Sequence, residues 1–224
     1  MTVTLTEDIE RRHVCITQDI EVAGQRVTLL KPRSIEALID EEDFSRDERL
    51  PYWADLWPAS RALSDAVASE SGAGRSCLEL GCGLGLSTIA ALRAGYDVTA
   101  TDYYDDALAF ARVNAVRNIG RAPRTRLVDW RRLPDDLGRF DRIIAADVLY
   151  ERDYGQLVAQ VLDRALAAHG VATVADPGRM AADAFVSTCE SLGFELGAAP
   201  VREVRDDGLT FRVRLLELRR VVTR

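Results

Sequence analysis

The sequence predicts a doubly wound α/β domain built on a mostly parallel sheet, and three observations predict it. From residue 75 onward, short apolar runs alternate with longer segments of helical periodicity. That alternation makes βαβ units, and such units build parallel sheets. Acidic residues stand at four successive strand ends: Asp102, Asp129, Asp147 and Asp176. In an open α/β sheet this is the edge where ligands bind. A glycine-rich turn, Gly81-Cys82-Gly83-Leu84-Gly85, directly follows the strand that precedes these four, Ser76–Leu80.

Taken in order, residues 12–31 read as a β-hairpin, with His13-Val14-Cys15-Ile16 and Arg26-Val27-Thr28-Leu29-Leu30 flanking Ala23-Gly24. Residues 32–50 are charged and irregular and read as a linker or lid. The chain thus divides into a hairpin-and-lid segment, 1–50, and a main domain, 51–224. Pro51-Tyr52-Trp53-Ala54-Asp55-Leu56-Trp57-Pro58 is densely aromatic. Pro58 suits the first turn of a helix, where its missing N–H is not needed, and the helix should run to about Glu70.

Ser76–Leu80 reads as a buried strand, Leu86–Ala94 as a helix closed by Gly95, and Asp97–Thr101 as the second strand. Ala107–Asn118 is helical. Thr125–Val128 and Arg142–Ala146 are further strands. Asp153–Ala168 is helical, with Leu157, Val161, Leu162 and Ala165 at helical spacing. Val171–Ala175 is a strand and Ala181–Leu192 a helix. Residues 194–199 and 209–218 form a closing strand pair with no helix between them, so the last strand should run antiparallel.

The bulk numbers narrow the classes. With 224 residues, 47% hydrophobic and 29% charged, the chain can bury a substantial core. It has no apolar stretch long enough to cross a membrane, and its polar, acidic start lacks the apolar core of a secretory signal. A cytoplasmic protein without membrane contact is expected. The net charge of −7 argues against a dedicated nucleic-acid binder, and the local group Arg124, Arg126, Arg131 and Arg132 reads as a solvated surface. Cys15, Cys77, Cys82 and Cys189 make no C-x-x-C pair, and only His13 and His169 stand beside them. No metal site is expected, and the thiols read as reduced.

The glycine loop carries the functional signal. Glycines there permit positive φ and close approach of a ligand to the backbone. Asp102, about twenty residues on, can accept hydrogen bonds from a ribose diol. The sixth position from Gly81 is Leu86, so the dinucleotide fingerprint is not met, and no phosphate-binding lysine follows. Glu79 on the strand side would face a phosphate unfavourably and suits a cationic ligand instead.

Glu79–Gly85 with Asp102 resembles the E-x-G-x-G-x-G motif and ribose acid of class I S-adenosylmethionine-dependent methyltransferases, over roughly residues 75–218. The resemblance implies a Rossmann-like seven-stranded sheet with an antiparallel last strand. It implies S-adenosylmethionine as donor and S-adenosylhomocysteine as product. At the third strand end it places Asp129 and Trp130 against the adenine. Tyr103, beside Asp102, and Ala146, at the end of the fourth strand, join the donor site. Trp53 and Trp57 either wall that site or anchor their segment to the sheet. Asp147-Val148-Leu149-Tyr150 resembles the Asp-x-x-Tyr element of the family 16 lysine methyltransferases. With the Pro51–Pro58 stretch and Asp176-Pro177-Gly178-Arg179, the chain is similar to the electron transfer flavoprotein β-subunit lysine methyltransferase and nicotinamide N-methyltransferase-like group.

This implies methyl transfer to an amine, with a protein lysine as acceptor. Asp147 and Tyr150 are the candidate catalytic residues. They would orient the amine rather than act as strong bases, because a free carboxylate is a poor base for a lysine of pKa ~10.4. Asp147 also borders the donor. Asp176 and Arg179 are the candidate substrate contacts, Arg179 facing an acidic surface or pairing with Asp176. The alternatives are a small-molecule N- or O-methyltransferase and a donor-binding protein without catalysis. The N-P-P-Y motif of base-amine enzymes is absent after the fourth strand.

Overall fold

The computed structural model describes residues 2–38 and 50–221. The chain opens with helix α1 (Thr2–Arg12) and the hairpin of β1 (Cys15–Val22) and β2 (Gln25–Pro32). A 3-10 turn at Glu36–Leu38 follows. Most of the segment read as a lid, residues 39–49, lies outside the described residues.

The main domain runs α2 (Pro58–Ala68), β3 (Ser76–Leu80), α3 (Leu86–Arg93), β4 (Asp97–Asp102), α4 (Asp105–Ile119), β5 (Arg124–Leu127), β6 (Phe140–Ala146), α5 (Tyr154–Ala165), β7 (Leu166–Asp176), α6 (Ala182–Ser191), β8 (Phe194–Leu196), β9 (Val201–Asp206) and β10 (Leu209–Arg220). The sheet order is β5-β4-β3-β6-β7-β10-β8, with β9 also on β10. Strands β3 to β7 pair in parallel. β10 is antiparallel to β7. β9 takes Leu209–Arg214 of β10 and β8 takes Leu218–Arg220, so the two lie end to end and fill one position of a seven-position sheet.

Side chains alternate across a strand, and here that alternation sorts residues into two cores. Cys77 and Ile144 join one core, with Leu63 of α2, Ile89 of α3 and Phe110 of α4. Their neighbours Leu78 and Ile143 join the other, with Val158 and Leu162 of α5 and Phe185 of α6. Arg142, 5% exposed, points between the layers and meets Glu70, just past α2, through Nε at 3.1 Å and Nη2 at 2.8 Å.

The hairpin belongs to the first core through Ile20, Val22, Val27 and Leu29. Two asparagines of α4 hold its edge. Asn114 Oδ1 accepts from the Leu30 N–H at 2.7 Å, and its Nδ2 donates to Leu30 O at 2.9 Å. Asn118 does the same for Thr28 at 3.0 Å. Four helical residues rise about 6 Å and two strand residues about 6.6 Å, so amides one helical turn apart meet alternate strand residues. Asn114 Nδ2 also donates to Leu84 O at 2.9 Å, tying the hairpin to the glycine loop.

Three elements differ from expectation. The polar, acidic start forms helix α1, whose Leu5 and buried Ile9 pack on the first core. β9 falls between the two closing strands expected, where the sequence pattern assigns no element. β7 starts at Leu166, where helical spacing suggested helix to Ala168. Gly170 explains that start, since a Cβ there would come within 3.0 Å of Phe140 O, so β6 and β7 need a glycine to approach.

Candidate functional site

The loop after β3 turns by means of left-handed glycines, and two of them have no room for a side chain. A Cβ on Gly85, at φ +82°, would lie 2.8 Å from the Cα of Ala111 on α4. A Cβ on Gly83 would lie 3.1 Å from the Trp53 carbonyl oxygen. The loop is thus pressed between α4 and the aromatic segment. Above it opens a cavity of about 490 Å³ at the carboxyl edge of the sheet.

Two buried carboxylates face this cavity. Asp102, ending β4, accepts from the Gly83 N–H at 3.0 Å and the Tyr104 N–H at 3.1 Å. Burial pushes its pKa up to about 6 against those hydrogen bonds. Glu79, inside β3 and 3% exposed, accepts from the Thr88 hydroxyl. Burial is the largest influence on it, Asp102's charge adds to that, and the pKa is pushed up to about 8 despite Thr88. No arginine or lysine figures among the groups that perturb either acid. The pocket therefore offers a cation an uncompensated carboxylate, and offers hydroxyl groups a carboxylate already fixed by backbone N–H groups. Cys82 beside them is buried, and burial drives its thiol far up, away from thiolate chemistry.

Opposite these acids stands a row of edge-on aromatic rings. Trp130 meets Tyr154 at 5.4 Å, Tyr154 meets Tyr150 at 5.1 Å and Tyr150 meets Tyr52 at 5.4 Å. Burial, together with a hydrogen bond to Tyr154, pushes the Tyr150 hydroxyl pKa upward, so it stays protonated. Trp57 donates its Nε1 hydrogen to Tyr52 O at 2.8 Å and closes the row. Trp53 is buried against Phe110 at 5.5 Å and Tyr104 at 6.5 Å, and it also lines the cavity.

Asp147 follows β6 in the left-handed region, φ 58°, unusual for a residue with a side chain. Its N–H donates to Ala175 O at 2.9 Å, which fixes the residue against the end of β7. Its carboxylate takes both prongs of Arg179, Nε at 2.7 Å and Nη2 at 3.0 Å.

The cavity gathers Trp53, Trp57, Glu79, Gly81, Gly83, Gly85, Asp102, Tyr103, Asp129, Trp130, Ala146, Asp147, Tyr150 and Arg179. Asp176 is not among its lining residues. The Asp176 side chain is fully buried and accepts from the N–H groups of Gly178 at 3.0 Å and Arg179 at 2.9 Å and from Arg214 at 2.8 Å. It shapes the Pro177–Arg179 turn from beneath. Arg179's side chain goes to Asp147 rather than to Asp176. Tyr52, Tyr104 and Tyr154 also line the cavity without having been singled out as site residues, and so does Arg131, which the sequence places in a solvated basic group. For Tyr154 a signal existed, its position one helical turn beyond Tyr150. Of the basic group, Arg124 pairs with Asp97 and Arg126 with Asp136.

Residues 44–191 match a family described as lysine methyltransferase. The electron transfer flavoprotein beta subunit lysine methyltransferase of Danio rerio is 32% identical over 133 residues, covering 58% of this chain and 51% of the relative. The glycine/sarcosine N-methyltransferase of Parasynechococcus marenigrum is 35% identical over 126 residues, covering 53% and 44%. The chain spans about half the length of the curated relatives it matches. Among solved structures, magnesium protoporphyrin IX methyltransferase of Synechocystis PCC 6803 with bound SAM superposes with a TM-score of 0.60 at 18% identity, covering 83% of this chain and 94% of that one. At that identity the likeness concerns the fold.

Proposed function

The chain belongs to the lysine methyltransferase family, and on that premise we propose that it transfers a methyl group from S-adenosylmethionine to the side-chain amine of a protein lysine. One observation carries this reading: Asp147 and Tyr150 face the same cavity as the uncompensated Glu79 and the pinned Asp102. When bound, the donor supplies a methyl already activated by its sulfonium. Asp102 would accept hydrogen bonds from the ribose hydroxyls, Glu79 would balance the ligand's positive charge, and Trp130 would offer a ring face to the adenine, with Asp129 beside it.

The acceptor is positioned rather than strongly activated. Asp147 and Tyr150 hold its N–H groups so that the lone pair points into the cavity. The nitrogen–carbon bond forms as the carbon–sulfur bond breaks, S-adenosylhomocysteine is left, and the proton shed by the incoming ammonium passes to water. The tyrosine row offers ring faces to the methylated, still cationic product.

Tritiated donor added to desalted lysate with the wild type or Asp147→Asn tests the reading. Asparagine is chosen because it tolerates the left-handed backbone better than alanine does. A discrete labelled protein band, absent with the variant, is expected. Label confined to small molecules would transfer the activity to a small amine, the reading that similarity to a glycine/sarcosine enzyme favours. No label despite calorimetric donor binding would refute catalysis.

A further inference from the structure

A second cleft, of about 430 Å³, adjoins the donor cavity. Its walls come from Trp57 and Pro58, from the turn Pro177-Gly178-Arg179, and from the β9–β10 hairpin at Asp206 and Phe211. Asp55, Leu56, Trp57, Asp147 and Arg179 border both spaces, so the Asp147–Arg179 ion pair is the charged part of the partition between them. The Asp147 side chain is 5% exposed and that of Arg179 37%, so the guanidinium covers the carboxylate from the open side. The backbone N–H of Arg179 donates to Asp176 at 2.9 Å, while among the described residues its side chain hydrogen-bonds only to Asp147. The other acids of the cleft, Asp55 and Asp206, pair with Lys31 and Arg61, neither of which lines it.

We propose that this second cleft receives the acceptor, an aliphatic chain ending in an ammonium group, and that Arg179 is a resident cation on Asp147 which that ammonium displaces. The inference rests on the reading of the protein as an amine methyltransferase and adds the acceptor's route and the rule that selects it. Trp57 and Phe211 supply apolar faces for methylene groups. Exchanging one cation for another never leaves Asp147 buried and unpaired, a state that is strongly unfavourable. A hydroxyl or a carboxylate arriving by the same route brings no positive charge and cannot take the guanidinium's place. The partition therefore discriminates for amines before any chemistry begins.

The test uses the full chain saturated with S-adenosylhomocysteine, titrated with pentylammonium and with pentanol while tryptophan fluorescence is followed. Wild type should bind pentylammonium and ignore pentanol. Arg179→Ala should bind it about tenfold more tightly, and Phe211→Arg, outside the donor cavity, should lose it while keeping its affinity for S-adenosylhomocysteine within about twofold. Phe211→Leu, which keeps an apolar wall, should behave as wild type. Weaker amine binding in Arg179→Ala, unchanged binding in Phe211→Arg, or no binding by wild type overturns the proposal. The lysate labelling assay separates this from the broader reading. Labelled protein with an amine that ignores Phe211→Arg defeats the route alone. An amine that binds as described, without methyl transfer to any acceptor, defeats the methyltransferase reading and leaves a cation site.

Discussion

Replacing Glu79 with glutamine should make the empty protein more stable and its donor binding weaker. The carboxyl is 3% exposed, and burial, with Asp102's charge behind it, lifts its pKa from 4.5 to about 8. Below pH 4.5 the group is protonated both folded and unfolded, and it costs nothing. Above that the unfolded chain ionises while the folded one keeps its proton, so stability falls as pH rises, until the folded group ionises near 8. Over the roughly 2.5 units up to pH 7, at about 1.4 kcal/mol per unit, the loss reaches about 3 kcal/mol. Glutamine keeps an acceptor for the Thr88 hydroxyl and escapes the penalty. Urea unfolding without donor should thus favour Glu79→Gln by up to about 3 kcal/mol at pH 7, an advantage gone by about pH 4.5. A bound cation reverses the preference, because it favours the ionised carboxylate. Between pH 7 and 8, above the range where Asp102 titrates, wild type should release a proton on binding the donor and bind more tightly as pH rises, and the variant should do neither. Calorimetry in two buffers of different ionisation heat reads that proton. A variant less stable than wild type at pH 7, or wild-type binding without proton release, would refute the reasoning.

Gly85→Ala combines φ +82° with a contact 2.8 Å from Ala111, whereas Gly120→Ala, at φ +77°, meets open space. Thermal unfolding should show Gly85→Ala to be the more costly by roughly 2 kcal/mol, with weakened donor binding; equal costs would mean the loop gives way freely. Asp102→Asn turns an amide N–H toward the Gly83 or Tyr104 N–H, and donor affinity should drop about 10- to 100-fold in a protein that still folds. Because Asp102 titrates at about 6, wild-type donor binding should also weaken as pH falls through 6, and calorimetry at pH 5 and 7 checks both effects.

The donor half of the site was legible because its chemistry is local in sequence. Glu79 to Gly85 form one strand-turn segment, and Asp102 is one βα unit further on. The acceptor half was less legible. Arg179 was singled out, but pairing with its sequence neighbour Asp176 looked as good as pairing with Asp147, and only the end of β7 beside Asp147 decides between them. Trp53 was an even choice between wall and anchor because both need the same bulky ring, and its contact with Phe110 favours the anchor. β9 was missed because Arg202, Glu203, Arg205 and Asp206 hide its alternation, although Asp207-Gly208 is a hairpin signal in its own right. α1 was missed because Thr2, Val3 and Thr4 are poor helix formers, and its support comes from distant core residues.

The two margins of the main sheet have a consequence for the protein in a crowded solution. One margin is β5, four residues long and carrying Arg124 and Arg126. The other is broken in two, because β8 ends at Leu196 and β9 begins only at Val201, after Gly197 and Pro200. β10, the longest strand, is flanked by β7 over Arg214–Arg219 and by β9 and β8 along its other side. A foreign strand seeking an open ladder thus finds short, charged or interrupted backbone, and the fold guards itself against edge-to-edge aggregation.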